Sequence, residues 1–139
     1  MKFITNTSDL AKFLNKKIKF NAQIKSISTD TRLLKKNSLF IAIKGENFDG
    51  NNFVDDALSK GSNIIIADNK LFKNNNDKRI IWVNDSIKAL KTISKNIIKD
   101  YDGNVIAITG SNGKTTTTNI IGKTLKNNSK TLKNFNNEI

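Results

Sequence analysis

A glycine-rich loop between residues 110 and 116 has the residue types needed to hold phosphate groups. It follows the apolar, β-branched segment 104–109 and precedes a segment with helical character from about 114 to 126. Glycines let a backbone turn tightly and bring its N–H groups close to phosphate oxygens, and a following helix N-terminus favours an anion. The order strand, loop, helix therefore predicts a phosphate loop. Its residues are Gly110, Ser111, Asn112, Gly113, Lys114, Thr115 and Thr116.

Two side chains of this loop have predicted roles in chemistry. Lys114 supplies a mobile positive charge for the β- and γ-phosphates of a nucleoside triphosphate, and we predict it to be the catalytic residue. The hydroxyl of Thr115 is a ligand for Mg²⁺, so ATP and Mg²⁺ are the predicted cofactors. The first glycine of the general template would fall at Ile108, whereas here it is Gly110. The alternative interpretation is a tight glycine turn that binds nothing.

The composition narrows the possible chemistry. The sequence has no Cys and no His, which excludes disulfides, thiolate metal sites and a histidine general base. A metal must then be a hard ion held by oxygens. No apolar run approaches the roughly 18 residues that span a bilayer, and the first residues lack the apolar stretch of a secretory signal. We expect a cytoplasmic protein that does not bind membranes.

The net charge of +12 raises the question of nucleic-acid binding. The excess comes from lysines scattered along the whole sequence, and Arg32 and Arg79 are its only arginines. We therefore favour a solvated basic surface over a nucleic-acid interface, and predict no nucleic-acid partner.

Helical and strand patterns alternate along the chain, which predicts an α/β fold. Helices are predicted at 8–14, 52–60, 85–99 and 114–126, and strands at 17–20, 24–28, 37–43, 63–67, 79–83 and 105–109. Thr7 or Ser8 is the expected cap of the first helix, Phe53 is expected to face inward in the second, and Ile87 in the third.

The last strand and helix form an incomplete unit, because one strand cannot make a stable sheet. We therefore expect the N-terminal portion of a longer protein. Residues 1–84 would form a small complete domain, and residues 85–139 the truncated beginning of a nucleotide-binding domain.

Three segments give the sequence a family resemblance. Residues 108–116 resemble the Mur ligase family, the ATP-dependent amide ligases of peptidoglycan assembly. Residues 28–32, 37–45 and 48–50 resemble the N-terminal UDP-binding domain of the members that add the third amino acid or the final dipeptide. Residues 134–139 resemble a segment of the dipeptide-adding members. This family often has His after Asp49-Gly50, where this chain has Asn51.

The resemblance implies two sets of binding residues. The residues implied for the UDP-sugar substrate are Thr31, Arg32, Glu46, Asn47 and Phe48, and Asn136 and Asn137 are implied for ATP or substrate. An arginine at a strand end suits a diphosphate. From the residues alone, Arg32 could equally pair with Asp30, and residues 44–48 could be a plain turn.

The resemblance also implies a reaction. The carboxylate of UDP-N-acetylmuramoyl-tripeptide attacks the γ-phosphate of ATP, and D-alanyl-D-alanine then displaces phosphate from the acyl phosphate. We expect a monomer, and no ligation by these 139 residues alone. Two alternatives stay open: the related ligase that adds the third amino acid to the UDP-muramoyl-dipeptide, and a non-catalytic UDP-sugar or nucleotide-binding remnant.

Overall fold

The computed structural model describes residues 4–99 and 101–126, which belong to two compact units divided between Asp102 and Gly103. The helices are α1 (Thr7–Leu14), α2 (Val54–Ser59), α3 (Ser86–Lys99) and α4 (Lys114–Lys126). The strands are β1 (Ser26–Ser28), β2 (Ser38–Ile41), β3 (Ser62–Ala67) and β4 (Ile80–Trp82). Single 3₁₀ turns occur at Thr31–Leu33, Gly50–Phe53 and Lys70–Phe72.

The first unit contains a parallel sheet with the strand order β1-β2-β3-β4. All four residues of β2 are buried, as are five of the six residues of β3. Burial on both faces is expected of parallel strands, since the connections between them cover the sheet on either side. The predicted α/β class is confirmed.

The two faces of the sheet have separate apolar clusters. One face packs against α1 and α3, and the other packs against α2. The buried residues of the first cluster include Leu10, Leu39, Ile41, Ile64, Ile66, Ala89 and Ile93. Those of the second include Phe40, Val54, Ala57, Ile65 and Ala67. The alternation of Leu39, Phe40 and Ile41 between the clusters follows from the two-residue period of a strand.

Helix α3 belongs to the first unit, which corrects the boundary expected near Asn84. Ala89 and Ile93 of α3 are buried in the same cluster as Leu10 of α1. Because this contact buries apolar surface of both helices, the compact unit continues to Asp102. The predicted inward position of Ile87 is wrong, since its side chain is 42% exposed.

Three local predictions also differ from the structure. Residues 17–20 form no strand, because Thr7 holds this segment with its side chain: its Oγ1 donates to the Phe20 carbonyl at 2.7 Å. Asn6, rather than Thr7 or Ser8, caps α1 by accepting a hydrogen bond from the Asp9 N–H. Phe53 precedes α2 and is 37% exposed, so it does not face the core.

The second unit is described from 103 to 126. Residues 105–109 were expected to form a buried strand, but they form no strand, and Val105 and Ile106 are 65% and 54% exposed. A strand needs neighbours to satisfy its backbone, and the described residues of this unit offer none. Helix α4 has the predicted bounds. Within the described residues, no helix is long and apolar enough to cross a membrane.

Candidate functional site

The loops after β1 and β2 hold the predicted substrate residues. Thr31 and Arg32 lie in the 3₁₀ turn after β1, and residues 46–48 lie in the loop after β2. The two strands are parallel neighbours, so both loops leave the sheet at the same edge. In open α/β sheets, this carboxyl edge is where ligands bind. The topology therefore places both predicted segments at one edge.

Arg32 is paired with Asp30. Its Nη2 donates to Asp30 Oδ2 at 2.7 Å, and its Nε donates to Oδ1 at 3.0 Å. This hydrogen bond lowers the pKa of Asp30 below its usual value of 3.8. The Arg32 side chain is 86% exposed, so the pair lies at the surface, where ion pairs are weak and readily exchanged. The alternative left open by the sequence, an Arg32–Asp30 pair, is what the structure contains.

Thr31 lies in the same turn and is buried. Its hydroxyl helps to lower the pKa of Asp56, a residue of α2. Asp56 accepts a hydrogen bond from Lys60 at 2.9 Å. The bond from Lys60 is the larger cause of a lowered pKa at Asp56, and Thr31 is the second. The effect of Thr31 on Asp56 indicates that the turn after β1 lies close to α2.

The loop after β2 is a tight hairpin. Lys44 and Asp49 form an antiparallel bridge, and the Gly45 N–H donates to the Phe48 carbonyl at 2.7 Å. Glu46 and Asn47 lie at the tip, and both are exposed. The backbone of this loop is therefore the plain turn that the sequence left open as an alternative. The polar groups at its tip are accessible to a ligand.

Two aromatic rings flank this hairpin. Phe48 and Phe53 stack with ring centroids 5.0 Å apart and an angle of 21° between the ring planes. Phe48 is 52% exposed and Phe53 is 37% exposed. A stacked pair of this size usually lies in a core, since exposed apolar surface is unfavourable in water. Here the pair offers a flat apolar surface at the carboxyl edge. Sequence reasoning missed Phe53, because it assigned this residue to the core.

Gly50 lies close against Ile43, two residues after the end of β2. Its N–H donates to the Ile43 carbonyl at 2.9 Å. A Cβ at this position would lie 2.7 Å from Ile43 N and 2.8 Å from Ile43 O, closer than real Cβ atoms come. Only glycine fits this close approach of two backbone segments.

Asn51 is the centre of a buried polar network that the sequence did not predict. Its side chain is 5% exposed, and Nδ2 donates both to Asp49 Oδ1 at 2.7 Å and to Asp68 Oδ1 at 2.8 Å. Its Oδ1 accepts from the backbone N–H groups of Asp68 and Asn69, both at 3.1 Å. All the hydrogen-bonding atoms of the amide are therefore used.

Asp68 extends this network to α3. It follows the carboxyl end of β3, and its Oδ2 accepts from the N–H of Ser86, the first residue of α3, at 3.1 Å. A carboxylate at a helix N-terminus is favourable, because it meets unpaired N–H groups and the positive end of the helix dipole. The position of Asp68 directly after a buried strand was the available signal, since carboxyl ends of parallel strands gather polar residues.

The predicted phosphate loop lies in the second unit. Gly113 has a φ of 77°, a left-handed conformation that favours glycine, and α4 begins at the next residue, Lys114. The Lys114 ammonium donates to the Gly110 carbonyl. Thr115 and Thr116 are exposed in the first turn of α4.

This geometry suits an anion. The first N–H groups of a helix have no partners within it, so they can donate to phosphate oxygens. Residues 4–99 and 101–126 contain no group of three or more His, Cys, Asp or Glu side chains suited to a metal. The Thr115 hydroxyl is exposed in the first turn of α4, and a hydroxyl oxygen is of the type that a hard ion such as Mg²⁺ prefers. Asn136 and Asn137 lie outside the described residues.

Comparison with known families gives one match. The model of the Mur ligase family, catalytic domain, matches residues 23–104, more than half of the chain. The matched segment contains the carboxyl-edge loops and the Asn51 network, and it ends before the glycine-rich loop.

Curated relatives agree with this match. The UDP-N-acetylmuramoyl-tripeptide–D-alanyl-D-alanine ligase of Bacillus subtilis is 39% identical over 84% of this chain and 26% of its own length. The UDP-N-acetylmuramoyl-L-alanyl-D-glutamate–2,6-diaminopimelate ligase of Rickettsia typhi is 37% identical over 75% of this chain and 21% of its own length. The chain thus spans about a quarter of the length of these relatives.

Solved structures are similar as well. One is the MurF ligase of Thermotoga maritima, which was solved in complex with ADP. The match covers 74% of this chain and 23% of the Thermotoga chain, with 35% identity and a TM-score of 0.59. MurF of Acinetobacter baumannii matches 92% of this chain and 28% of its own with 27% identity and a TM-score of 0.66.

Proposed function

The chain belongs to the Mur ligase family, and from this premise we propose that it binds a UDP-muramoyl-peptide and ATP as part of an amide ligase. The main support for the proposal is that the residues matched by the family model include the loops at the carboxyl edge of the sheet. Residues 23–104 include the turn after β1 and the hairpin after β2, where both segments predicted to bind substrate lie.

The carboxyl edge has the chemistry to bind a nucleoside diphosphate. The stacked rings of Phe48 and Phe53 offer a flat face to a pyrimidine base. Glu46 and Asn47 at the tip of the hairpin provide hydrogen-bonding groups for the edge of the base. The guanidinium of Arg32 is permanently charged and can donate two hydrogen bonds to the diphosphate. It would give up its bond to Asp30 to do so.

The glycine-rich loop is the proposed ATP site. Gly110, Gly113 and the N-terminus of α4 hold the phosphates, and Lys114 turns from the Gly110 carbonyl to the β- and γ-phosphates. Thr115 would hold Mg²⁺, which when bound neutralises phosphate charge. The relative from Thermotoga maritima was solved with ADP, which supports a nucleotide here. The further residues proposed for this site are Ser111, Asn112, Thr116, Asn136 and Asn137.

In the proposed reaction, the terminal carboxylate of the UDP-muramoyl-peptide attacks the γ-phosphorus of ATP and ADP leaves. The amine of the incoming residue then attacks the acyl carbon of the acyl phosphate, inorganic phosphate leaves, and the amine loses a proton. Lys114 and the helix N-terminus lower the barrier by positioning the phosphates and stabilising their charge. We propose that the complete enzyme acts in the cytoplasm as a monomer.

For the substrate, we propose UDP-N-acetylmuramoyl-tripeptide with D-alanyl-D-alanine. The B. subtilis relative, the two solved MurF structures and the resemblance of residues 134–139 support this choice. The second candidate is the ligase that adds the third amino acid, which the Rickettsia relative supports at nearly the same identity.

The deciding experiment uses the full product of the gene. It is given ATP and Mg²⁺ with each nucleotide substrate and its matching amine, and amide product and ADP are measured. Product only with the tripeptide substrate and D-alanyl-D-alanine supports our choice, whereas product only with the dipeptide substrate and a diamino acid supports the second candidate. Binding of the nucleotide sugar without product from either pair would indicate a binding protein. Ligation by the 139-residue chain alone would contradict our expectation that it is inactive by itself.

A further inference from the structure

A basic groove of about 420 Å³ lies beside the edge strand β4 in the first unit. Two segments that are distant in sequence form it: residues 16–20, which follow α1, and residues 73–82, which lead into and include β4. Its lining contains Lys16, Lys17, Lys19, Lys73 and Lys78 together with Trp82. None of these residues belongs to the predicted substrate or ATP site. The sequence suggested scattered lysines, and the fold gathers these five around one groove.

The five lysines lack a protein counter-charge. Within residues 4–99 and 101–126, none of their ammonium groups makes an ion pair or a hydrogen bond, and no carboxylate lines the groove. The nearby Asp77 is already paired with Arg79 at 2.6 Å. Several like charges around one small groove repel each other, and a bound anion would remove that repulsion.

Two of these lysines lie over the ring of Trp82. Lys73 Nζ lies 5.2 Å from the centroid of its ring and Lys16 Nζ lies 6.0 Å from it, so two ammonium groups share one aromatic ring. The indole Nε1–H is buried and has no hydrogen-bond partner among the described residues. An unpaired buried donor is unfavourable for the folded state.

Lysines near an edge strand have another common role, which is to prevent pairing with a strand of a second molecule. That role needs charge along the strand itself, whereas β4 is Ile80, Ile81 and Trp82. It also requires neither a groove nor a buried indole donor. The lysines come from the segments beside the strand and surround a concave surface.

We propose that this groove binds a chain of phosphate groups, either free or carried by a nucleotide. Five lysine charges match an anion that carries several charges better than they match one carboxylate, and phosphate oxygens are strong acceptors for ammonium donors. None of the residues that line the groove belongs to the carboxyl-edge loops or to the glycine-rich loop.

The test uses the emission of Trp82, the only tryptophan of the chain. Inorganic tripolyphosphate and UTP are titrated separately into the 139-residue chain at low salt, without divalent metal. We expect a saturable change in emission with tripolyphosphate, weakened about tenfold by the double substitution Lys16→Gln and Lys73→Gln. The same substitutions at Lys88 and Lys91 on α3 are the matched control for net charge. If the two probes reach half-saturation at the same concentration, the site binds the phosphate chain alone. If UTP reaches half-saturation at a lower concentration, the site binds a nucleotide.

Two results would overturn the proposal. One is the absence of a saturable change in Trp82 emission with either probe. The other is an equal weakening by the α3 control variant, which would show that net charge alone attracts the anion. Both variants change exposed side chains, so circular dichroism is expected to show the same folded state in each.

Discussion

Asn51 and Asp68 are joined by two hydrogen bonds that run in opposite directions. Asn51 Nδ2 donates to Asp68 Oδ1 at 2.8 Å, and Asn51 Oδ1 accepts from the backbone N–H of Asp68 at 3.1 Å. The pair ties the turn after the β2 hairpin to the carboxyl end of β3. Through Asp68 it also reaches the N-terminus of α3. One buried amide therefore holds three segments of the first unit in place.

Replacing Asn51 should be costly for stability. Asn51→Leu keeps a similar volume but leaves the N–H groups of Asp68 and Asn69 without their acceptor. Unsatisfied buried polar groups cost about 1–3 kcal/mol each, so we expect a loss of about 3 kcal/mol in the free energy of unfolding. Urea unfolding followed by circular dichroism measures it. Asn52→Leu, at an exposed neighbour, is the control and should change stability by less than about 0.5 kcal/mol. Equal effects of the two substitutions would refute the role of the network.

Gly50→Ala tests the close approach of Gly50 to Ile43, which follows β2. The new Cβ would meet Ile43 N at 2.7 Å and Ile43 O at 2.8 Å, and both are backbone atoms that cannot move independently of the strand. We expect a loss of about 1–3 kcal/mol in the free energy of unfolding, typical of overpacking.

Gly45→Ala is the matched control in the same hairpin. Its Cβ would have the Phe48 carbonyl oxygen as nearest atom, at an ordinary 3.7 Å. The substitution should be neutral or slightly stabilising, because it restricts the unfolded chain. If thermal melts place both alanine variants at the same midpoint, the steric explanation for Gly50 is wrong.

The order of elements in the first unit could be predicted from the sequence because the signals are local. The run Leu39, Phe40 and Ile41 is apolar on both faces, which is typical of a buried parallel strand, and the structure buries all three. The signal for the start of α4 is equally local, because the loop ends at Gly113 and the helical pattern begins at Lys114. Such patterns depend on neighbours in the chain and not on the rest of the fold.

The errors arose where a distant contact decides the outcome. Residues 17–20 alternate like a strand, but Thr7 holds the backbone in another path. Asn51 looked like one loop asparagine among many, and its partners Asp68 and Asn69 lie 17 and 18 residues later in the chain. The lysines around Trp82 were treated as scattered because residues 16–20 and 73–82 meet only in the folded chain.

Acid should remove the contribution of Asp49 to stability. The hydrogen bonds from the side chain and then from the backbone of Asn51 lower the pKa of Asp49 below its usual 3.8. A pKa that is lower in the folded state means that the contribution is present above pH 3.8, and it is lost as the pH falls through the folded pKa. We expect Asp49→Asn to be less stable than the natural chain at pH 7. This difference should shrink below pH 3.8, and urea unfolding between pH 7 and pH 2.5 measures it. A difference that stays constant over this range would show that the charge of Asp49 does not matter.

Lys114→Gln tests the proposed ATP site in the full product of the gene. The amide keeps a donor but loses the charge that the phosphates require, so we expect ATP affinity to fall about tenfold or more. Lys123→Gln, in the last turn of the same helix, removes an equal charge far from the helix N-terminus and should leave affinity within about twofold. Calorimetric titration with ATP and Mg²⁺ distinguishes the two variants. Unchanged affinity in the Lys114 variant would favour a glycine turn that binds nothing.

Phe48→Ala tests whether the exposed aromatic pair holds the base of the UDP-sugar. The substitution removes the ring that is 52% exposed and leaves Phe53 alone, so the flat face is lost while no core contact is removed. Stacking of one base on one aromatic ring contributes about 1–3 kcal/mol, which corresponds to roughly 5- to 150-fold in UDP affinity. The control is Leu71→Ala, which removes a side chain that is 82% exposed on another part of the unit. Titration calorimetry with UDP on the 139-residue chain should show weaker binding only in the Phe48 variant. If both variants bind UDP as the natural chain does, the base lies elsewhere and the rings serve another purpose.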